Sequence, residues 1–307
     1  MNTGTPLDLT PFGSILSGIG WLYWLIALVC LWLAFTKPPH RTGKIISIAF
    51  VLIVFGSMPA YTGWHTYQAR QKLNAAMAQF EMRCKTAGEK INRAVENVDG
   101  IVWMKWRPKG VNLSDQFKLD DPYGKDCSLE GCILRLLRAR EGAAQYPEAA
   151  KLHEGGYKFV ETIDPRDGKR YRYTGVLTSM SGGTKEEFTR HVEDTGFGAE
   201  PGGSFLALRR EPIAQFTARY GIAWDDISTH EDREQWVAGS LLEAIDLQTN
   251  EVIAKRVGYL IDKGLGNQAG FRSPWPMAQA WACPTINSER TTWTFATKVM
   301  QPTKQGE

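Results

Sequence analysis

The sequence carries few of the patterns that signal chemistry. It has no Walker A sequence and no G-x-G-x-x-G fingerprint, which removes the usual phosphate and dinucleotide loops. No serine sits in G-x-S-x-G or S-x-x-K, so the familiar acyl-transfer nucleophiles are absent. There is no C-x-x-C, and none of the five histidines stands beside another at ligand spacing, which leaves no zinc pattern. A surplus of one charge sign is missing too. Of 36 Lys and Arg and 33 Asp and Glu, three basic residues and one acidic residue precede residue 62, so the rest is close to neutral. A nucleic-acid-binding face would show a basic excess or stripe, and no nucleic-acid partner is expected. No cofactor, metal site or catalytic residue is expected either.

Charge is most conspicuously lacking near the start. Between Asp8 and Lys37 no side chain is charged, and the apolar run 12–35 fills most of that interval. A second apolar run, 45–61, follows a short loop containing Lys37, His40, Arg41 and Lys44. About 20 apolar residues cross a bilayer core, so the pair reads as a transmembrane hairpin that meets lipid through residues 12–35 and 45–61. Gly56 and Pro59 weaken the second run but are tolerated in spanning helices. A cleaved signal would begin with a basic segment, whereas Asp8 is the only charge before the first run. Aromatic residues flank the runs: Trp32 and Phe35 at one end, Tyr61 and Trp64 at the other. The positive-inside rule puts the basic loop in the cytoplasm. Arg70 and Lys72 after the second run oppose that assignment in part. In a bacterium both termini are then periplasmic, and the protein belongs to the inner membrane.

Cys30 falls within the first run. Cys84, Cys127, Cys132 and Cys283 form an even set, which in an exported domain implies two disulfides. The expected pairing is Cys127–Cys132, closing a short loop, and Cys84–Cys283, tying early chain to late. Were the orientation reversed, four free thiols would be the expectation.

The sequence predicts an α+β fold in three parts: a transmembrane hairpin (1–61), an amphipathic connecting helix (62–100) and a mostly antiparallel β domain with short helices (101–307). Leu73, Met77, Phe80, Cys84, Ala87, Ile91, Ala94 and Val98 recur at helical spacing, predicting one helix over 69–98. Two hairpins are signalled by turn chemistry: 157–163 with 169–177 around Asp164-Pro165-Arg166-Asp167-Gly168, and 240–247 with 251–261. Strands are predicted over 101–107, 204–210 and 291–300. Short helices are predicted over 147–153 and 212–220, and loops over 113–131, 181–183, 196–203 and 224–234. Residues 132–140 fit either a strand or a helix.

Among candidate sites, His191, Glu193 and Asp194 read as a solvated turn before they read as a hydrolytic site. Asp225, Asp226, His230, Glu231 and Asp232 lack the alternation and glycine of a calcium loop. Ser181 and Ser204 lie in glycine-rich sequence without a nucleophile elbow. The segment 271–281, FRSPWPMAQAW, differs in character. Its Phe271, Arg272, Trp275 and Trp281 are residue types favoured at recognition hot spots. The plainer reading, a loop packed over the core and pinned by Cys283, has the advantage. The expected function is binding of a protein partner in the periplasm by a membrane-anchored domain. Within that class an immunity or inhibitor protein stands first and an accessory component of an envelope assembly beside it. The enzymatic alternative is a periplasmic hydrolase acting on cell wall or lipid near His191 or His230. A sensor working through an intramembrane partner is the third.

Overall fold

The structure, a computed structural model, describes residues 11–107, 112–119, 127–138, 156–179, 181–195, 204–285 and 291–303. The chain forms two compact units, Met1–Lys72 and Leu73–Glu307.

The first unit contains α1 (Pro11–Thr36) and the larger part of α2 (Arg41–Cys84). Among the described residues, α2 is the one helix long and apolar enough to cross a membrane, and the described apolar stretch of α1, Gly20–Thr36, is shorter. The expected two-span hairpin is thus supported in part, by one helix long and apolar enough to span and one shorter apolar stretch. Their least exposed positions recur at helical spacing. Tyr23, Ala27, Cys30 and Ala34 line one face of α1, while Gly43, Ser47, Ile48, Val51 and Phe55 line one face of α2. Small residues on such faces let helix backbones approach closely. The remaining surface is apolar and exposed, with Trp21, Trp24, Trp32, Phe50 and Ile53 all pointing outward.

The second unit is α+β, with a large, mostly antiparallel sheet. Its strands are β1 (Gly88–Ile91), β3 (Gly100–Trp103), β4 (Phe159–Ile163), β5 (Arg170–Ser179), β6 (Ser204–Pro212), β7 (Tyr220–Asp226), β8 (Val237–Asp246), β9 (Glu251–Ile261) and β10 (Ala282–Cys283). They are ordered β1-β9-β8-β7-β3-β4-β5-β6, with β10 also pairing with β9. β3 is parallel to both of its neighbours, β4 and β7, and every other pairing in this sheet is antiparallel. Two meanders therefore meet at one central strand. A separate parallel pair joins β2 (Val95–Val98) to β11 (Met300–Pro302).

One sheet face is covered by α3 (Leu129–Arg138) and α7 (Thr292–Val299). Ile133, Leu136, Phe295 and Val299 from these helices pack on Ile101, Trp103, Val160, Tyr173, Ile222 and Leu242. The sheet residues alternate along their strands, as a face buried on one side requires. On the other face, the end of α2 lays Ala76, Met77 and Phe80 against Val237, Tyr259 and Ile261.

Both predicted hairpins form. The β4–β5 turn closes with Gly168 donating to the Asp164 carbonyl at 2.8 Å, and Gly168 takes φ +71°, a conformation favouring glycine. Asn250 at φ +56° completes the β8–β9 turn. The structure pairs Cys84 with Cys283 and Cys127 with Cys132, at Cα separations of 5.7 and 4.9 Å.

Four expectations are corrected. The helix predicted over 69–98 ends at Cys84: the Thr86 and Ala87 amides close its last turn, Gly88 turns at φ +137°, and β1 then joins β9. Residues 212–220 are not helical, because the Thr217 and Ala218 amides donate to the buried Glu161 carboxylate at 2.8 and 3.0 Å instead of to helical carbonyls. Residues 224–234 are not a loop, since they hold the end of β7 and the short helix α5 (His230–Glu234). The strand predicted over 291–300 is mostly α7, capped by the Thr291 hydroxyl and held by buried Phe295, Ala296 and Val299. For the ambiguous 132–140 stretch, the answer is helix, in α3. The predicted helix 147–153 and loop 196–203 lie outside the described residues.

Candidate functional site

The segment 262–283 follows β9, and its conformation begins with Asp262. That carboxylate is fully buried. It accepts from the Gly264 and Gly266 amides at 3.1 and 2.8 Å and is gripped by both terminal nitrogens of Arg272, with Nη1 at 3.0 Å from Oδ2. Arg272 Nη1 also donates to the Asn267 carbonyl at 2.9 Å. A carboxylate taken out of water needs such donors. Arg272 is therefore the anchor of this loop rather than a free recognition cation.

Beside the anchor, Phe271 sits at φ +62° with its side chain wholly exposed. A left-handed conformation costs a residue with a Cβ about 1–2 kcal/mol, and an aromatic ring in water adds to that. Such strain persists where the surroundings enforce it. The Arg272–Asp262 clamp adjoins it directly in the chain.

The four residues singled out from sequence do not act alike. Trp275, in the short helix α6 (Pro274–Ala278), is 4% exposed. Its ring centroid lies 5.3 Å from that of Trp236 and 5.0 Å from the Arg233 guanidinium, and its Nε1 donates to the Asp115 carbonyl at 2.9 Å. It is a core residue. Trp281 is half exposed, with the Lys263 ammonium 3.4 Å from its ring centroid, a cation–π contact. Phe271, Met277 and Trp281 are thus the outward apolar side chains of the segment.

Trp275 also fixes a second segment. Besides the Asp115 bond, its backbone amide donates to the Leu113 carbonyl at 3.4 Å. Gln116 Nε2 donates to the carbonyls of Arg233 and Glu234 at 2.7 and 3.0 Å. Residues 112–119 are thereby laid against α5 and α6, and they expose Leu113, Phe117 and Leu119. Phe117 stacks on His230 at 4.9 Å. Nothing in the sequence of this stretch distinguished it from an ordinary loop; its role emerges only from the bonds made by Trp275 and Gln116.

The remaining candidates are dispersed. His230 is exposed and faces Glu234 at 3.5 Å. Asp232, far from being a surface ligand, is fully buried and caps α5 together with Thr229. Burial works to raise its carboxyl, but hydrogen bonds from Arg83, the Thr229 amide and Gln79 outweigh that and hold it below the usual range. His191, Glu193 and Asp194 have their backbone in the last turns of α4 (Lys185–Thr195), not in a turn. Ser181 lies in a tight turn where the Ser179 hydroxyl accepts from the Gly182 amide at 3.0 Å, and Ser204 opens β6. Among the described residues, no group of three or more His, Cys, Asp and Glu side chains is placed to hold a metal ion.

Two features assemble residues that the sequence reading did not bring together. A depression of about 230 Å³ on the sheet is lined by Lys105, Ala223, Trp224, Asp225, Leu241 and Glu243, with Lys105 paired to Asp225 at 2.6 Å. At the β4–β5 turn, Asp164 accepts from Arg166, Arg210 and Tyr173. Burial opposes its charge, but these hydrogen bonds prevail and lower its pKa to about 2; burial raises Tyr173 to about 12. Both arginines are committed to Asp164, so this cluster reads as a structural clasp.

No family model matches this chain, and no curated protein or solved structure shows significant similarity to it.

Proposed function

We propose that the chain is a bacterial inner-membrane protein whose second unit binds a protein partner in the periplasm. The observation that carries the binding reading is Phe271, a wholly exposed aromatic ring at φ +62° beside the clamp of Arg272 on the buried Asp262 carboxylate. It belongs to a set of outward apolar residues from two segments joined through Trp275: Leu113, Phe117 and Leu119 on one, Phe271, Met277 and Trp281 on the other. Aromatic residues and methionine are enriched at the cores of interfaces, and exposed apolar surface of this kind marks sites of association.

The membrane reading is supported by α2, long and apolar enough to span, and by apolar side chains exposed around both helices. The basic loop Lys37–Lys44 faces the cytoplasm and both termini the periplasm. Two disulfides suit an oxidising compartment. Within this class an immunity or inhibitor protein is the first reading, and an accessory component of an envelope assembly the second.

The test is a crosslinked pull-down of full-length protein from its native membrane, comparing wild type with a Phe271→Ala/Trp281→Ala variant of equal abundance. Both substituted side chains are exposed, so the fold survives. One stoichiometric protein lost in the variant supports the proposal. Absence of a stable partner under conditions that preserve the fold overturns it.

A further inference from the structure

Pro59 lies inside α2. Having no N–H, it leaves the carbonyl four residues earlier, that of Phe55, without its helical donor. In water a solvent molecule would fill that role. In a bilayer core no solvent does, and a backbone carbonyl there must find its donor within the protein.

The neighbouring hydroxyls of α2 serve other carbonyls. Ser57 donates to Val54 at 3.0 Å, and Thr62 donates to Met58 and Pro59 at 3.0 and 3.1 Å. The Phe55 carbonyl is satisfied from the other helix: Tyr23 Oη of α1 donates to it at 2.5 Å. The two rings also meet, with centroids 5.4 Å apart. Tyr23 lies on the same less exposed face of α1 as Ala27, Cys30 and Ala34, and it provides the directional bond to α2.

We infer that Tyr23 is the clasp of a proline hinge: its hydroxyl replaces the donor that Pro59 removes and keeps α2 continuous through residue 59. The inference rests on the membrane reading, because only a water-free surrounding makes the substitute donor necessary. Proline sites are where helices bend sharply. The clasp makes one bending state dominant and couples it to the seating of α1. Releasing Tyr23 would free both.

The experiment uses full-length protein in lipid bilayers, with Cys30 replaced by serine and spin labels at Ile46→Cys and Tyr67→Cys, two exposed positions flanking Pro59. About 21 residues of helix place the labels roughly 30 Å apart, within reach of pulsed dipolar spectroscopy. The parent should give one narrow distance distribution. Tyr23→Phe, which removes only the hydroxyl, should broaden it at least twofold and add shorter distances. Adding Pro59→Ala to Tyr23→Phe restores the backbone donor and should return the narrow distribution. An unchanged distribution in Tyr23→Phe overturns the inference, and so does failure of Pro59→Ala to rescue. Alkaline extraction of the same membranes separates the two readings. Release of the protein sinks the membrane reading, whereas retention with an unchanged Tyr23→Phe distribution sinks the clasp alone.

Discussion

Trp275 and Trp281 are six positions apart and face different surroundings. Truncating Trp275 to alanine removes a buried ring and the bond that fastens residues 112–119. Aromatic-to-alanine changes in a core cost about 3–5 kcal/mol, and thermal unfolding should show a loss on that scale. Trp281→Ala, at a half-exposed site, should cost about 1 kcal/mol or less, and its effect should appear in partner capture instead. Asp164 and Asp246 make a second prediction at this scale. Asp246 is held at about 2, chiefly by the Arg219 side chain, and Asp164 lies at about 2 against an ordinary 3.8. A carboxylate with a lowered folded pKa makes the unfolded chain the better proton binder, so its stabilisation is complete above about pH 4 and is lost as pH falls towards 2. Melting temperature should drop across that window, and the drop should be shallower in Asp164→Asn. Neither aspartate stood out in the sequence. Asp246 gains its importance from Arg219 and Arg93, far away in the chain, and Asp164 from Arg166 in its own turn joined by Arg210 on another strand, a convergence that spacing does not reveal. Trp275 illustrates the same limit: a Trp-Pro-rich segment reveals that aromatic rings must be accommodated, but not which ring turns inward.

Elements shaped by local chemistry were legible. The β4–β5 hairpin is read from a proline-glycine turn and the β8–β9 hairpin from branched and aromatic runs flanking Gln248-Thr249-Asn250, because both partners of each pairing are adjacent in sequence. Elements decided by distant packing were not. Thr291–Met300 is rich in β-branched and aromatic residues and reads as a strand, yet a threonine cap and burial of Phe295 and Val299 make most of it helix. The periodic stripe carried past Cys84 because apolar residues in two short strands happen to continue the helical spacing. The cap of α5 is testable here. Thr229 and Asp232 form a reciprocal capping box, so Thr229→Ala should lower stability by about 1 kcal/mol, measured by denaturant unfolding in detergent. Removing the Cys84–Cys283 link, which joins the end of α2 to β10 across a sequence separation of 199, should cost on the order of 2–5 kcal/mol. A Cys84→Ser/Cys283→Ser variant melting within 1 °C or so of wild type would contradict that.

For the whole molecule, the apolar start of the chain was readable from composition alone, since a long uncharged interval has few fates. The central parallel strand was not, because β3 takes its two neighbours from positions far along the chain. Orientation is open to direct measurement. In a Cys30→Ser background, a cysteine at His40 should react with an impermeant thiol reagent only after the inner membrane is opened. Labelling in intact spheroplasts would overturn the proposed topology and with it the expectation of an oxidising compartment.

The pairing of β2 with β11 joins residues 95–98 to residues 300–302, and this has a consequence in time. A ribosome adds about 5–20 residues per second, so roughly ten to forty seconds separate the appearance of these two partners. Throughout that interval β2 is an unmatched strand, and β1 waits almost as long for β9. The protein is exposed to wrong partners for longest at its earliest strands, and a chaperone or exporter that shields residues 88–98 would have the greatest effect on yield.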